Sequence, residues 1–213
     1  MQPVSHLSDK ARLILDVAEA LIAEKGYDAT SVRAVAKAAG VNVAMISYYF
    51  GSKEKMMEAL VACRISALRL SLEEISQQEE VNELDKLLMV ADLYIRQFIT
   101  NQRFHRIMAH EAWIHKQEQT SPMILAAKRE NFALIKKIID AGVRKGLFRK
   151  NIDPVMMFMT LNGTTNQVMT RQGFIRQAYN LSEDSPEAVL KFIQKKLRLH
   201  FKNLLKVLLQ HES

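Results

Sequence analysis

Cysteine is almost absent: Cys63 is the only one in 213 residues. No internal disulfide can form, which excludes a disulfide-stapled scaffold and fits a reducing cytoplasm. A lone thiol of this kind reads as a small buried hydrophobe. Proline and glycine are scarce too, at four and seven residues, and neither occurs between Gly51 and Pro122. A run that long without breakers predicts long helices. No charged start followed by an apolar run opens the chain, so no signal peptide is expected. No uncharged apolar stretch approaches the roughly 20 residues of a membrane helix, so no membrane partner is expected either. There is no glycine-rich phosphate loop and no serine or cysteine arranged for activation, so neither an enzyme nor a cofactor is expected. His105, His110 and His115 step by five, which turns successive rings about 140° apart on a helix. His110-Glu111 also lacks a second histidine four residues on, so no metal site is expected.

What the chain does have is charge, unevenly placed. The formal net charge is +7. Residues 1–63 nevertheless hold seven basic and seven acidic side chains, and from Glu118 onward 16 Lys or Arg face 8 Asp or Glu. Overall basicity is therefore a poor argument for nucleic-acid binding. The local group Arg33, Lys37, Lys53 and Lys55 against Glu54 is a better one.

Apolar periodicity predicts an all-α chain. Asp9 can cap a helix over 9–25 with Ala11, Ile14, Leu15, Ala18, Leu21 and Ile22 on one stripe, ended by Gly26. Thr30 or Ser31 caps a short helix that ends at Gly40, and Asn42 caps a third that ends near Phe50 and Gly51. Ser52 caps a long fourth helix running through Ile75. The acidic stretch Gln77–Glu83 reads as a turn. Helices over 83–100, 103–117 and 122–145 follow, with Pro122 at a first-turn position. Asp153-Pro154 opens another, containing Gly163 and nearing its end at Gly173. Ser185-Pro186 opens the last, to about Gln210.

Residues 30–53 carry the most specific pattern. Two short helices joined at Gly40–Asn42, with the first helix behind them, make a helix-turn-helix. Ile46 and Phe50, four apart, can face the small core of Val35, Ala36 and Ala39. Val43, Ala44, Ser47 and Tyr48 then point outward. Such a helix enters a major groove, where Val43 and Ala44 can meet thymine methyls and Ser47 a base or phosphate. Arg33 could reach guanine. Thr30, Tyr48, Tyr49 and Lys53 are placed for phosphates, and the amides after Ser52 form a helix start that favours anions. The same spacing also suits a plain three-helix bundle with an aromatic corner.

The run TSVRAVAKAAGVNVAMISYYFGSKEKMMEAL resembles the N-terminal signature of the tetracycline-repressor (TetR) family. The resemblance covers roughly residues 9–63. It implies a homodimeric repressor that binds a palindromic double-stranded operator and releases it when a small molecule occupies the C-terminal domain. It divides the chain into a DNA-binding domain, 1–51, and a ligand-binding and dimerisation domain, 52–213. Carried over by position, DNA contacts fall on Thr30, Arg33, Asn42, Val43, Ala44, Ser47, Tyr48, Tyr49 and Lys53. Tyr49 stands where the family often has His, and Val43 and Ala44 where Lys, Pro or Gly is common, which implies a more apolar readout.

Seven of the eleven methionines lie between Met89 and Met169, together with several aromatics. At helical spacing these are core residues or the lining of a pocket for an apolar effector. The candidates for effector contact are Phe98, Met108, His110, Trp113, Phe132, Met159, Asn162 and Asn166. The last helix shows an apolar stripe of Val189, Ile193, Leu197, Phe201, Leu204 and Leu208 that could pack internally or on a partner. By resemblance, Gly163, Ile193, Leu197, Phe201 and Leu204 build a dimer interface. A second reading is a helical dimeric interaction protein that uses its basic C-terminal half on a protein or membrane partner.

Overall fold

The computed structural model describes residues 7–110 and 121–209, with side chains except at 109 and 110. Among the described residues there are helices and turns and no strand. The elements are α1 (Asp9–Lys25), α2 (Val32–Ala39), α3 (Val43–Phe50), α4 (Lys53–Ser66), α5 (Arg69–Gln77), α6 (Glu83–Thr100) and α7 (Gln102–His110). After the undescribed stretch come α8 (Pro122–Arg144), α9 (Pro154–Thr170), α10 (Gln172–Ala178) and α11 (Pro186–Leu209).

Small polar residues set the helix starts. Ser31 accepts from the Ala34 N–H at 3.1 Å, Asn42 from Ala44 at 2.9 Å and Ser52 from Lys55 at 3.2 Å. Each satisfies a donor that the first helical turn leaves open. At the first helix the cap is Ser8, which accepts from Ala11 at 3.2 Å, and not Asp9. Asp9 lies one step inside, where its charge still favours the positive end of the helix dipole. Gly40 and Gly51 end α2 and α3 at positive φ, 65° and 82°, which an L side chain resists.

Two compact units emerge. The first takes in the described parts of Met1–Arg69 and Gln102–Asn131, so it reaches beyond residue 51. Its core joins Ile14 and Ile22 of α1 to Val35, Ile46, Phe50, Met57 and Leu60, with Phe104 and Ile107 of α7 and Ile124 of α8 closing it. Arg64 of α4 holds α1 through Asp16 at 2.7 Å and the buried Glu19 at 2.6 Å. The long fourth helix expected from Ser52 through Ile75 is broken. After Ser66 the chain tightens: Ala67 N–H reaches Cys63 O at 3.0 Å and Leu68 N–H reaches Ile65 O at 3.3 Å. The Asn131 side chain also donates to Ile65 O, at 2.6 Å. The break has no glycine or proline to announce it.

The second unit is Leu70–Asn101 with the described part of Phe132–Ser213. In it α6 packs against α9 and α11. Arg198 of α11 pairs with Asp92 of α6 at 2.6 Å, and Lys145 reaches the buried Glu83 at 2.6 Å. Gly142 is required by packing: a Cβ there would lie 2.1 Å from the fully buried Phe148 ring. The α9 helix stops at Thr170, and Gly173 belongs to the separate α10. Beyond His110 the helix expected to reach residue 117 lies outside the described residues.

Candidate nucleic-acid interface

The outward face of α3 has the composition expected of it. Ile46 and Phe50 are buried, while Val43, Ala44, Ser47 and Tyr48 are exposed, Tyr48 to 83%. The reason is the helical period: 46 and 50 lie on one row, and 43, 44, 47 and 48 on the opposite one. Arg33, Lys37 and Lys55 are exposed as well. The Tyr48 and Tyr49 rings stand edge to face at 5.2 Å, and Tyr49 rests half-buried on the core beside Phe50. Asn42 is exposed, with its side-chain oxygen engaged in capping α3.

Thr30 requires correction. It is 1% exposed, and its hydroxyl donates to the Gly26 carbonyl at 2.8 Å. It braces the turn between α1 and α2 and does not present a donor outward. Lys53 is half-buried, with its ammonium donating to the Tyr27 carbonyl at 2.6 Å and lying 4.1 Å from the Tyr27 ring centroid. It therefore ties the start of α4 to the turn that follows α1. An ammonium carries three donors, so this bond leaves capacity for a phosphate.

The anion-favouring start of α4 has an occupant that sequence reasoning missed. Hydrogen bonds from its own backbone N–H and from Ser52 hold the Glu54 carboxyl below the ordinary carboxylate range. An exposed carboxylate thus takes the donors that a phosphate would use. The signal was readable: Glu54 follows the cap Ser52 by two residues, inside the first turn.

The effector candidates do not converge on one place. Phe98 is buried and Phe132 half-buried in the second unit, whereas Met108 packs on the core of the first. Met159 is 54% exposed and Asn166 is exposed, so neither lines an enclosed pocket; both fall on the solvent row of α9, opposite the buried Met157, Leu161 and Thr165. Asn162 is half-buried. Trp113 lies outside the described residues, as does the side chain of His110. The aromatic grouping actually present is Tyr94, Phe132 and Phe158, with Phe158 5.9 Å from each of the other two. Burial pushes the Tyr94 hydroxyl well above its usual range. Two surface hollows of about 380 Å³ each open around Arg149–Asp153, and none of the expected residues lines them.

The interface candidates are also redistributed. Ile193, Leu197 and Phe201 are buried within their own unit, so they are not available to a partner. The buried row is Val189, Ile193, Leu197, Phe201, Leu205 and Leu209, a strict four-residue ridge. Leu204 is half-buried and Leu208 is 40% exposed, because the ridge keeps its step of four where a step of three was expected. Gly163 is exposed, and a Cβ added there would meet nothing within 4 Å. Exposed apolar side chains stand instead at Met156 and Met159 of α9 and at Leu199 and Val207 of α11.

Among the described residues no cluster of potential metal ligands occurs, and no helix is long and apolar enough to cross a membrane.

Comparison with known proteins agrees with this geometry. The family model for bacterial regulatory proteins of the tetR family matches residues 14–60. The model for the tetracyclin repressor-like C-terminal domain matches residues 84–194, more than half of the chain. The probable HTH-type transcriptional regulator YttP of Bacillus subtilis is 53% identical over 49 residues, which is 23% of this chain and 24% of that protein. The HTH-type transcriptional repressor KstR2 of Rhodococcus jostii is 25% identical over 176 residues, 75% of this chain and 78% of that one. In three dimensions the regulator FadR from Bacillus subtilis, solved with stearoyl-CoA, superposes with a TM-score of 0.67 at 21% identity, over 87% of this chain and 96% of that one.

Proposed function

The chain belongs to the TetR family of transcriptional regulators, and from that membership we propose that it is a ligand-responsive repressor acting as a homodimer on a palindromic operator. The observation that carries this reading is the solvent face of α3: an apolar, aromatic row of Val43, Ala44, Ser47 and Tyr48 turned outward from a well-packed head. What sets α3 apart is that four outward residues of one short helix, Val43, Ala44, Ser47 and Tyr48, are exposed together, Tyr48 to 83%. A major groove offers thymine methyls to Val43 and Ala44, a base edge to Ser47 and guanine to Arg33. Tyr48, Tyr49 and Lys53 hold phosphates. The head, residues 1–51, does the reading, and residues 52–213 bind the effector and the second subunit in the cytoplasm.

Two copies meet through the exposed faces of α9 and α11, with Met156, Met159 and Gly163 against Leu199 and Val207. Gly163 weakens its helix, and nothing among the described residues calls for a glycine there. A second helix approaching closely would. The effector is a bulky apolar molecule held near Tyr94, Phe98, Phe132 and Phe158. The similar FadR of Bacillus subtilis was solved with stearoyl-CoA. Effector binding weakens operator binding by the difference in its affinity for the two arrangements of the heads.

Titration of the protein with the duplex it selects tests this reading. Arg33→Ala is expected to cost about 1–3 kcal/mol and to relax specificity at one position of each half-site. Unchanged affinity and unchanged specificity would remove Arg33 from the readout. Binding to anionic vesicles but to no duplex would favour an interaction protein with a basic C-terminal half.

A further inference from the structure

Asn131 sits at the end of the first unit and is 3% exposed. Its Nδ2 donates to the Ile65 carbonyl at 2.6 Å, and its Oδ1 is buried with no hydrogen-bond partner among the described residues. The orientation is fixed by chemistry, because the flipped amide would set its oxygen against the Ile65 oxygen. Ile65 lies in the last turn of α4, where the long helix breaks. Two further contacts join the same two stretches of chain. Ser121, buried at the start of α8, donates to Glu58 at 2.8 Å, and Glu130 pairs with Arg69 at 3.1 Å.

The position of this grouping gives it meaning. The chain leaves the first unit directly after Arg69, and again directly after Asn131. These residues therefore tie together two of the three points at which the chain crosses between the units, the third being Asn101–Gln102. The Asn131 contact also carries an unfavourable part. A buried acceptor without a partner is unfavourable, and this offsets part of what the Nδ2 bond contributes. A two-position element needs a small net preference.

We infer that Asn131 is a latch that fixes the end of α4 to α8 and thereby sets the orientation of the DNA-reading head. It is a positioning residue: it acts through α4 and touches no DNA. The inference rests on the proposed repressor reading. When the latch opens, the break at Ala67–Leu68 loosens, and two heads in a dimer no longer keep one spacing. Simultaneous engagement of both half-sites weakens, whereas binding of one head to one half-site does not.

Asn131→Asp, which cannot donate, and Asn131→Leu, which removes donor and orphan acceptor together, test it in the full chain. Backbone amide exchange at Ala67 and Leu68 is expected to rise about tenfold in both, with α2 and α3 unchanged. Affinity for the palindrome that the wild-type protein selects from a random duplex pool is expected to fall about tenfold. Affinity for a duplex with one half-site is expected to stay. Unchanged exchange at Ala67 and Leu68 overturns the latch. An equal fall on palindrome and half-site, or faster exchange in α2 and α3, overturns the positioning role in favour of a structural one. If the wild-type protein selects no duplex, the repressor reading fails and the coupling to the head fails with it; the exchange result then decides the tie between α4 and α8 alone.

Discussion

Glu54 shows how one side chain can tune a site without lying in its outward row. Its carboxylate accepts hydrogen bonds at the start of α4, where a DNA phosphate is proposed to sit. Glu54→Gln removes that competing charge. A unit charge at contact distance in water is worth about 1 kcal/mol, so duplex affinity is expected to rise about fivefold at low salt. The gain should shrink as salt screens the charge. Fluorescence anisotropy at two salt concentrations checks this, and no gain at low salt would move the phosphate elsewhere. His105 is the second residue with a definite expectation. Burial lowers its pKa from the usual 6.5 to about 4. The unfolded chain therefore binds a proton that the folded chain does not across pH 4 to 6.5, and stability falls as pH falls through that window. Between pH 7 and pH 5 this one group removes about 2 kcal/mol. In urea unfolding at both pH values, His105→Gln is expected to lose less stability than wild type; an equal loss would assign the acid sensitivity to other groups.

At the scale of elements, Gly163 gives the clearest test. It stands exposed on α9 with open space around it, so a larger side chain is compatible with the isolated subunit. Gly163→Leu is expected to keep its helix content and to shift from dimer to monomer in sedimentation velocity. A dimer of undiminished stability would place the partner on another face. The elements also show what a sequence can announce. Caps at Ser31, Asn42 and Ser52, and the division of α3 between Ile46 and Tyr48, were legible because capping chemistry and the helical period act locally. The break after Ser66 was not, because no local breaker marks it and the Asn131 side chain that takes the Ile65 carbonyl is 66 residues away in sequence. Thr30 could equally have capped or turned inward, and only the nearby Gly26 carbonyl decides it. The apolar residues of α9 and α11 were assigned to core, pocket or partner with least success. Periodicity says that a face is apolar; it does not say what covers it.

For the whole molecule, the central claim is that a nearly uncharged head reads DNA by shape-matched apolar contacts and a few well-placed donors, and that two such heads act together. Residues 1–63 balance seven bases with seven acids, so affinity has to come from placement more than from net charge. Family membership supports a regulator, and α3 supports the groove as its target. A symmetric pair of heads requires a symmetric site, with half-sites centred about one helical turn apart, roughly 34–36 Å or a multiple of it. The most direct measurement is selection of bound sequences from a random duplex pool with the intact protein. The expected result is one enriched palindrome whose half-sites contain thymines at the positions facing Val43 and Ala44 and a guanine facing Arg33. Enrichment of no sequence, or of a site without two-fold symmetry, would contradict the account.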